Sequence, residues 1–175
     1  MISSRRFDEK TGTIEILHSV LTVRTIELKD ISPDNYASAL ALSVSETQKN
    51  LVAPVMKSLA DAFVYKESIF KLAYSANDLV GYVLLYPYSE ENRRLVNIVR
   101  LMIDQEYQGR GLGKKLLNCA LEFIRALQPA VDVVRISTRP SNEVALNLYR
   151  RAGFVDRGLE DEEIALYMKL DSSNS

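Results

Sequence analysis

Tyr107-Gln108-Gly109-Arg110-Gly111-Leu112-Gly113-Lys114-Lys115 is the stretch on which the reading of this 175-residue chain turns. An apolar, strand-like run from Val96 to Ile103 precedes it, and an amphipathic helix reaching about Leu127 follows. The glycines alternate, which frees the backbone and keeps side chains away from the amides. Exposed N–H groups at a helix start form a binding place for anionic oxygens. Lys114 and Lys115 fall in the first turn, where a cation costs about 0.3–1 kcal/mol. With Arg110 beside them, a bound phosphate reverses that cost. Taken alone, the stretch reads equally well as a glycine turn with solvated lysines.

Spacing excludes two common phosphate loops. A Walker loop, Gly-x-x-x-x-Gly-Lys-Ser/Thr, counted back from Gly113-Lys114 puts Gln108 at its first glycine and Lys115 at its hydroxyl position. A dinucleotide fingerprint Gly-x-Gly-x-x-Gly started at Gly109 or Gly111 meets Lys114 or Leu116 at its third glycine.

Working outward, the chain is 47% hydrophobic and 26% charged with a net charge of -1, the balance of an ordinary globular protein. A nucleic-acid binder would carry a basic excess or stripe, and none is present. One cysteine, Cys119, excludes an internal disulfide, and with a single histidine, His18, it argues against a His/Cys zinc site. The same scarcity weakens any Cys–His or Ser–His nucleophile scheme, and Cys119 reads as a small buried thiol. No metal site is expected. The longest apolar run, Leu79 to Tyr88, is too short to span a bilayer and carries Gly81 and Pro87. The N-terminus lacks the apolar core of a signal peptide, so the chain is expected to be cytoplasmic.

In chain order, residues 1–20 read as an N-terminal extension, 21–171 as a single domain and 172–175 as a flexible tail. Leu21 to Leu28 favours a strand. Ser32-Pro33 starts a helix that runs to about Ser43, and Val55 to Tyr65 forms a second, with Leu59, Ala62 and Phe63 on its packing side. Ile69 to Tyr74 and Leu79 to Tyr88 read as strands around a turn, and Ser89 to Arg94 as a charged loop. After the helix from Gly111, with Leu112, Leu116, Ala120, Phe123 and Leu127 on one side and Leu117, Leu121 and Ile124 adjoining, Val131 to Thr138 is a strand. A short helix begins near Asn142 and ends at Gly153. Phe154 to Leu159 and Ile164 to Leu170 close the domain around the acidic turn Glu160-Asp161-Glu162-Glu163. The order predicts a mixed α/β (α+β) layer arrangement with a mostly antiparallel start.

Ile103-Asp104-Gln105-Glu106-Tyr107-Gln108-Gly109-Arg110-Gly111-Leu112-Gly113 resembles the Gln/Arg-x-x-Gly-x-Gly/Ala signature of the GNAT superfamily of acetyl-CoA-dependent N-acetyltransferases. Asn142-x-x-Ala145-x-x-Leu148-Tyr149-x-x-x-Gly153-Phe154 resembles that superfamily's second motif. The resemblance implies a central, mostly antiparallel twisted sheet flanked by helices and splayed at the cofactor strand. It implies that amides of Gln108, Gly109, Arg110, Gly111, Leu112, Gly113 and Lys114 hold the pyrophosphate of acetyl-CoA. Leu101, Met102 and Ile103 would pair through their backbone with its pantetheine arm, and Asn142 would contact it besides capping its helix. Tyr149 would protonate the departing thiolate, whereas by spacing alone it reads as a core aromatic.

Leu42-Ser43-Val44-Ser45-Glu46-Thr47-Gln48-Lys49-Asn50-Leu51-Val52-Ala53-Pro54 and Ser58-Leu59-Ala60-Asp61-Ala62 are similar to the bacterial spermine/spermidine (diamine) acetyltransferases. This implies a small-molecule amine acceptor, a polyamine. Composition and the short apolar runs argue against a nucleic-acid or membrane partner, and a homodimer is the commonest assembly for an enzyme of this size. Other acceptors in the superfamily are a peptide N-terminus, a lysine or an aminoglycoside, and a non-catalytic coenzyme A module is a further reading. Relatives carry a carboxylate where this chain has Val99, so the general base stays open among Glu46, Glu90, Glu91 and a water chain. The acids at 160–163 suit attraction of a polycation, and equally a solvated turn.

Overall fold

A computed structural model describes residues 5–7, 14–16, 25–48, 51 and 53–170. Two short strands, β1 (Arg5–Phe7) and β2 (Ile14–Ile16), pair with each other antiparallel. The remaining strands are β3 (Ile26–Asp30), β4 (Ile69–Ser75), β5 (Asp78–Glu90), β6 (Arg93–Ile103), β7 (Val133–Thr138), β8 (Val155–Glu160) and β9 (Glu163–Lys169). They form one seven-stranded sheet in the order β3-β4-β5-β6-β7-β9-β8, antiparallel throughout except between β6 and β7. Helices α1 (Tyr36–Ala41), α2 (Val55–Val64), α3 (Leu112–Arg125) and α4 (Glu143–Arg151) flank it.

The helices divide the core between the two faces of the sheet. Leu117, Ala120, Leu121 and Ile124 of α3, with Leu146 and Tyr149 of α4, pack against Val83, Leu85, Val96, Ile98, Val134 and Ile136. On the other side Ala39 of α1 and Val55 of α2 cover Phe70, Leu72, Tyr82 and Leu84. Each fully buried leucine or isoleucine contributes about 1.5–3 kcal/mol, so α3, with Leu116, Leu117 and Ile124 fully buried, is the main clamp on its face. The Ser58 hydroxyl lies 3.0 Å from that of Tyr82, both fully buried, which joins α2 to the sheet without stranding either polar group.

Several expectations need correction. The charged loop at Ser89–Arg94 is a tight hairpin: β5 runs to Glu90, β6 starts at Arg93, and Glu91 and Asn92 turn with φ of 49° and 60°. Paired positive φ values match the right-handed twist of the flanking strands, a task more often given to glycine. Helix α1 is shorter than Ser32–Ser43, because residues 33–35 form a turn in which Asn35 Oδ1 accepts the Ser32 amide at 2.8 Å. Phe63 faces outward, 74% exposed, with the Lys66 ammonium 4.2 Å from its ring centroid. Phe123 lies at the flank of its stripe, under Lys71, and Leu117, Leu121 and Ile124 take the centre. Of the strand expected at Leu21–Leu28, residues 21–24 lie outside the described residues, and β3 runs on past Leu28 to Asp30. His18 and the 172–175 tail lie outside the described residues.

Two features set up the centre of the sheet. Opposite Leu84 and Leu85 the partners are Arg100 and Ile98, so Val99 is an extra residue that bulges from β6. Beyond the bulge, β6 and β7 part. Their parallel register stops at Ile98 and Ile136, although β6 continues to Ile103 and β7 to Thr138. Val99 to Ile103 therefore have a strand neighbour on one side only. At the far end of the same pairing Gly81 lies opposite Ile103, where any Cβ would collide with the Met102 carbonyl. Gly81→Ala is expected to cost roughly 3 kcal/mol, the upper end of overpacking. Thermal unfolding should then fall by about 6–12 °C for a chain of this size.

Candidate active site

The gap between β6 and β7 opens into a cavity of about 650 Å³. Both sequence motifs meet there. Leu101, Met102, Ile103, Gln108, Gly109, Gly111, Leu112, Gly113, Lys114, Asn142 and Tyr149 all line it. Arg110 is the one expected site residue that does not: it is exposed, with its guanidinium 5.4 Å from the Tyr107 ring centroid.

The loop is shaped from its first residue. Asp104 follows the end of β6, is 7% exposed, and accepts the Glu106 amide at 2.9 Å through Oδ1, capping a 3₁₀ turn over Gln105–Tyr107. Gly109 and Gly111 then take φ of 73°, the left-handed region that other residues enter at a cost of about 1–2 kcal/mol. Gly111 is the N-cap of α3, yet no side chain caps that end and its first turn holds no acid. An uncapped helix start of this kind suits an anionic group, and Lys114 lines the same cleft. A Cβ at 109 or 111 would meet nothing within 4 Å, so those positions border open cleft. One at Gly113 would be 3.8 Å from Leu148 Cδ2, so Gly113 marks where the two motifs adjoin.

Asn142 is the N-cap of α4. Its Oδ1 accepts the Ala145 amide at 3.3 Å, and its Nδ2 donates to Thr138 Oγ1 at 3.1 Å across the cleft wall. At the other end of α4, the Tyr149 carbonyl accepts from both Ala152 and Phe154 amides at 3.0 and 3.1 Å, with Gly153 turning the chain at φ of 100°. Tyr149 is 6% exposed, its ring 6.2 Å from that of Phe154. Burial, with the nearby charge of Glu163 adding to it, pushes the phenol up to about 12. Core residue and cleft residue are thus one and the same here. Cys119 lies outside the cleft, half-buried, its Sγ donating to the Ile26 carbonyl at 3.4 Å, and burial raises its thiol further from reactivity.

Two contacts that spacing could not reveal join this loop to the segment between α1 and α2. Asp104 Oδ2 accepts the Ser43 amide at 2.8 Å, 61 residues away in sequence. Gln108 Nε2 donates to Gln48 Oε1 and to the Ile103 carbonyl, each at 2.9 Å. Val44, Gln48 and Leu51 accordingly form a wall of the cleft. Among the acids considered as bases, Glu90 and Glu91 stand at the distant hairpin and Glu46 is exposed; none lines the cleft. The acidic turn is divided: Glu160 pairs with Arg135 at 2.8 Å, Glu163 accepts from Ser137 Oγ at 2.6 Å, and only Asp161 and Glu162 occupy the turn itself.

A parted parallel strand pair, uncapped amides at a helix start and a buried phenol on the opposite helix define an acyl-transfer site built around a long phosphorylated donor. Residues 36–154 match the acetyltransferase (GNAT) family, and the chain belongs to it: it is an acetyltransferase with acetyl-CoA as donor. It is 34% identical over 141 residues to the spermine/spermidine N(1)-acetyltransferase of Bacillus subtilis (strain 168), covering 77% of this chain and 90% of that one. Among solved structures, spermidine N-acetyltransferase from Vibrio cholerae in complex with CoA and spermine matches with a TM-score of 0.68 at 18% identity, over 83% of this chain and 95% of that one. Arabidopsis thaliana Naa50 in complex with the bisubstrate analogue CoA-Ac-MVNAL gives 0.61 at 22%, over 83% and 99%. At such identities the structural likenesses establish the fold. Among the described residues no helix is long and apolar enough to cross a membrane.

Asp104→Asn turns one of the carboxylate's two acceptors into a donor facing an amide. It is expected to lower unfolding stability by about 1.5–3 kcal/mol, read by urea denaturation, with KM for acetyl-CoA rising because the loop starts there.

Proposed function

We propose that this protein acetylates a primary amine of a polyamine by direct transfer in a ternary complex. The similarity over 141 residues to a spermine/spermidine acetyltransferase carries the choice of acceptor. A local feature supports it. On the α2 side of the sheet a hollow of about 280 Å³ is lined by Lys57, Asp61, Tyr65, Ser68, Leu84, Tyr86 and Val99. Val99, the bulge residue, also lines the donor cleft, so the two spaces adjoin there. The Tyr65 and Tyr86 rings stand edge to face at 6.0 Å, and Asp61 holds the Lys57 ammonium with both oxygens at 2.9 Å. A carboxylate beside aromatic faces, already binding an alkylammonium, has the chemistry that a polyamine requires.

In this reading acetyl-CoA supplies the activated acetyl group. The loop amides from Gln108 to Lys114 and the Lys114 side chain hold its phosphates, and the unpaired edge of Leu101–Ile103 holds the arm by backbone hydrogen bonds. A backbone amide on that edge would also polarise the carbonyl under attack. Asn142 fixes the start of α4 and faces the same arm. Tyr149 holds a proton for the leaving sulfur. A phenol at about 12 against a thiol near 8.5 leaves full transfer uphill by about 5 kcal/mol. Transfer to the sulfur is therefore easiest when the attacking nitrogen returns a proton to the phenol in the same step.

The raised value has a definite sign. Folding favours the neutral phenol, so its stabilising contribution is intact below pH 10 and is lost as pH rises through about 12. Tyr149 is thus protonated throughout the working range and imposes no fall in kcat below about pH 11. Tyr149→Phe is expected to lower kcat by about 10²–10⁴-fold with acetyl-CoA affinity unchanged. An unaltered rate removes Tyr149 from the acid role.

The acceptor assignment is tested by steady-state rates with acetyl-CoA against spermidine, spermine, short diamines, a peptide N-terminus and an aminoglycoside. Turnover of the polyamines is expected to exceed the others. Acetylation of the peptide with idle polyamines overturns the assignment.

A further inference from the structure

We propose that Glu163 is the proton acceptor for the attacking amine, a role that rests on the acetyl-transfer reading above. Glu163 opens β9 and lines the cleft that Tyr149 lines. It is the only acidic side chain to do so among the described residues. Its position follows from the sheet order. β9 lies next to β7, with Ile164 opposite Thr138 and Ala165 opposite Ser137. Glu163 therefore stands beside the end of β7 that has parted from β6. Ser137 Oγ, itself in the cleft wall, donates to Oε2 of Glu163 at 2.6 Å and sets the orientation of the carboxylate. A carboxylate held by one hydroxyl keeps its remaining lone pairs for a second donor.

The groups around it leave that capacity unclaimed. Tyr149 approaches from α4, and Arg100 lines the opposite wall on β6 with its Nη1 donating to the Val99 carbonyl at 2.7 Å. Arg135 on β7 gives its guanidinium to Glu160, to Tyr167 and to Asn97 at 2.8, 3.2 and 3.3 Å. Glu160 on β8 is opposite Glu163 across the turn and is neutralised by that pair. Among the described residues no cation pairs with Glu163. Glu163 and Tyr149 line the same cleft, and the Glu163 charge adds to the upward push on the phenol. Half-buried and at the base of an exposed turn, Glu163 also has a route for passing the proton to solvent.

The proton count closes. The substrate ammonium loses one proton to Glu163, directly or across a water, and its lone pair attacks the acetyl carbon. A carbon–nitrogen bond forms and the carbon–sulfur bond breaks. The Tyr149 proton goes to the sulfur, and the second proton shed by nitrogen restores the phenol. Glu163 then returns its proton to water, so the products are the acetamide, the thiol and one proton.

The test is Glu163→Gln in the full chain, assayed with acetyl-CoA from pH 7 to 10 against both spermidine and a peptide N-terminal amine. Glutamine retains an acceptor for Ser137, and calorimetry with acetyl-CoA confirms that the donor site is intact. At pH 7 kcat is expected to fall about 10²-fold, the lower range for losing a general base. The deficit should shrink to less than about tenfold by pH 10, because an alkylamine with pKa about 10 then deprotonates without help. Glu163→Asp should regain part of the rate with the pH profile of the unmodified chain. Wild-type kcat in Glu163→Gln, or a deficit that stays constant across the pH range, overturns the proposal. If spermidine is idle with the unmodified chain while the peptide reacts, the polyamine assignment fails and Glu163 is judged on the peptide.

Discussion

Everything in this molecule depends on two neighbouring strands that stop pairing. Parallel strands normally exchange hydrogen bonds along their length, and unpaired backbone groups in a buried setting cost about as much as a lost hydrogen bond each. Here the extra residue at Val99 bends β6, and the parallel ladder to β7 ends one residue earlier, at Ile98. The parting is tolerated because both strands are held on their outer sides, β6 by β5 and β7 by β9. The unpaired edge is the one that the proposed function gives to the donor's arm. The core clusters on either face of the sheet keep the two halves from closing on each other.

Where the residues needed for a feature are adjacent or regularly spaced, the sequence is legible. The glycine loop, the stripe of α3, the stop at Gly153 and the cap at Asn142 are local, and each follows from backbone conformation or helical period. Elements fail to show when unusual residues take on a usual task. Glu91-Asn92 and Asp161-Glu162 make glycine-like turns without glycine, so the first has the look of a charged loop in sequence. Other features are invisible because they join distant positions. Ser43 and Asp104, Gln48 and Gln108, and Ser137 and Glu163 meet only once the sheet order is known. The acid at 163 reads as one of four in a charged run, and only the register of β9 against β7 sets it apart.

The charges also follow a plan that composition conceals. A net charge of -1 suggests little, yet cationic and anionic groups are sorted along the cleft. Lys114 stands at the loop mouth, where phosphates are expected, and Glu163 stands where the strands part. Arg135 neutralises the neighbouring Glu160, so the anionic end presents one carboxylate, not two. The guanidinium thus takes up the carboxylate that does not line the cleft and leaves the one that does.

The two side-chain contacts between the donor loop and the α1–α2 segment carry a thermodynamic consequence. Gln108 belongs to the glycine loop, and its partner Gln48 belongs to the opposite wall of the cleft. Asp104 likewise starts the loop while holding the Ser43 amide. A neutral hydrogen bond contributes about 0.5–1.5 kcal/mol and one to a carboxylate about 1.5–3 kcal/mol. Binding at one wall that tightens these contacts alters the free energy of binding at the other, and linkage makes the two effects equal. On the proposed reading, with the donor on the loop and the amine against the facing wall, the two would not be independent ligands. Whatever factor acetyl-CoA lends to the affinity for the amine, the amine lends back to acetyl-CoA.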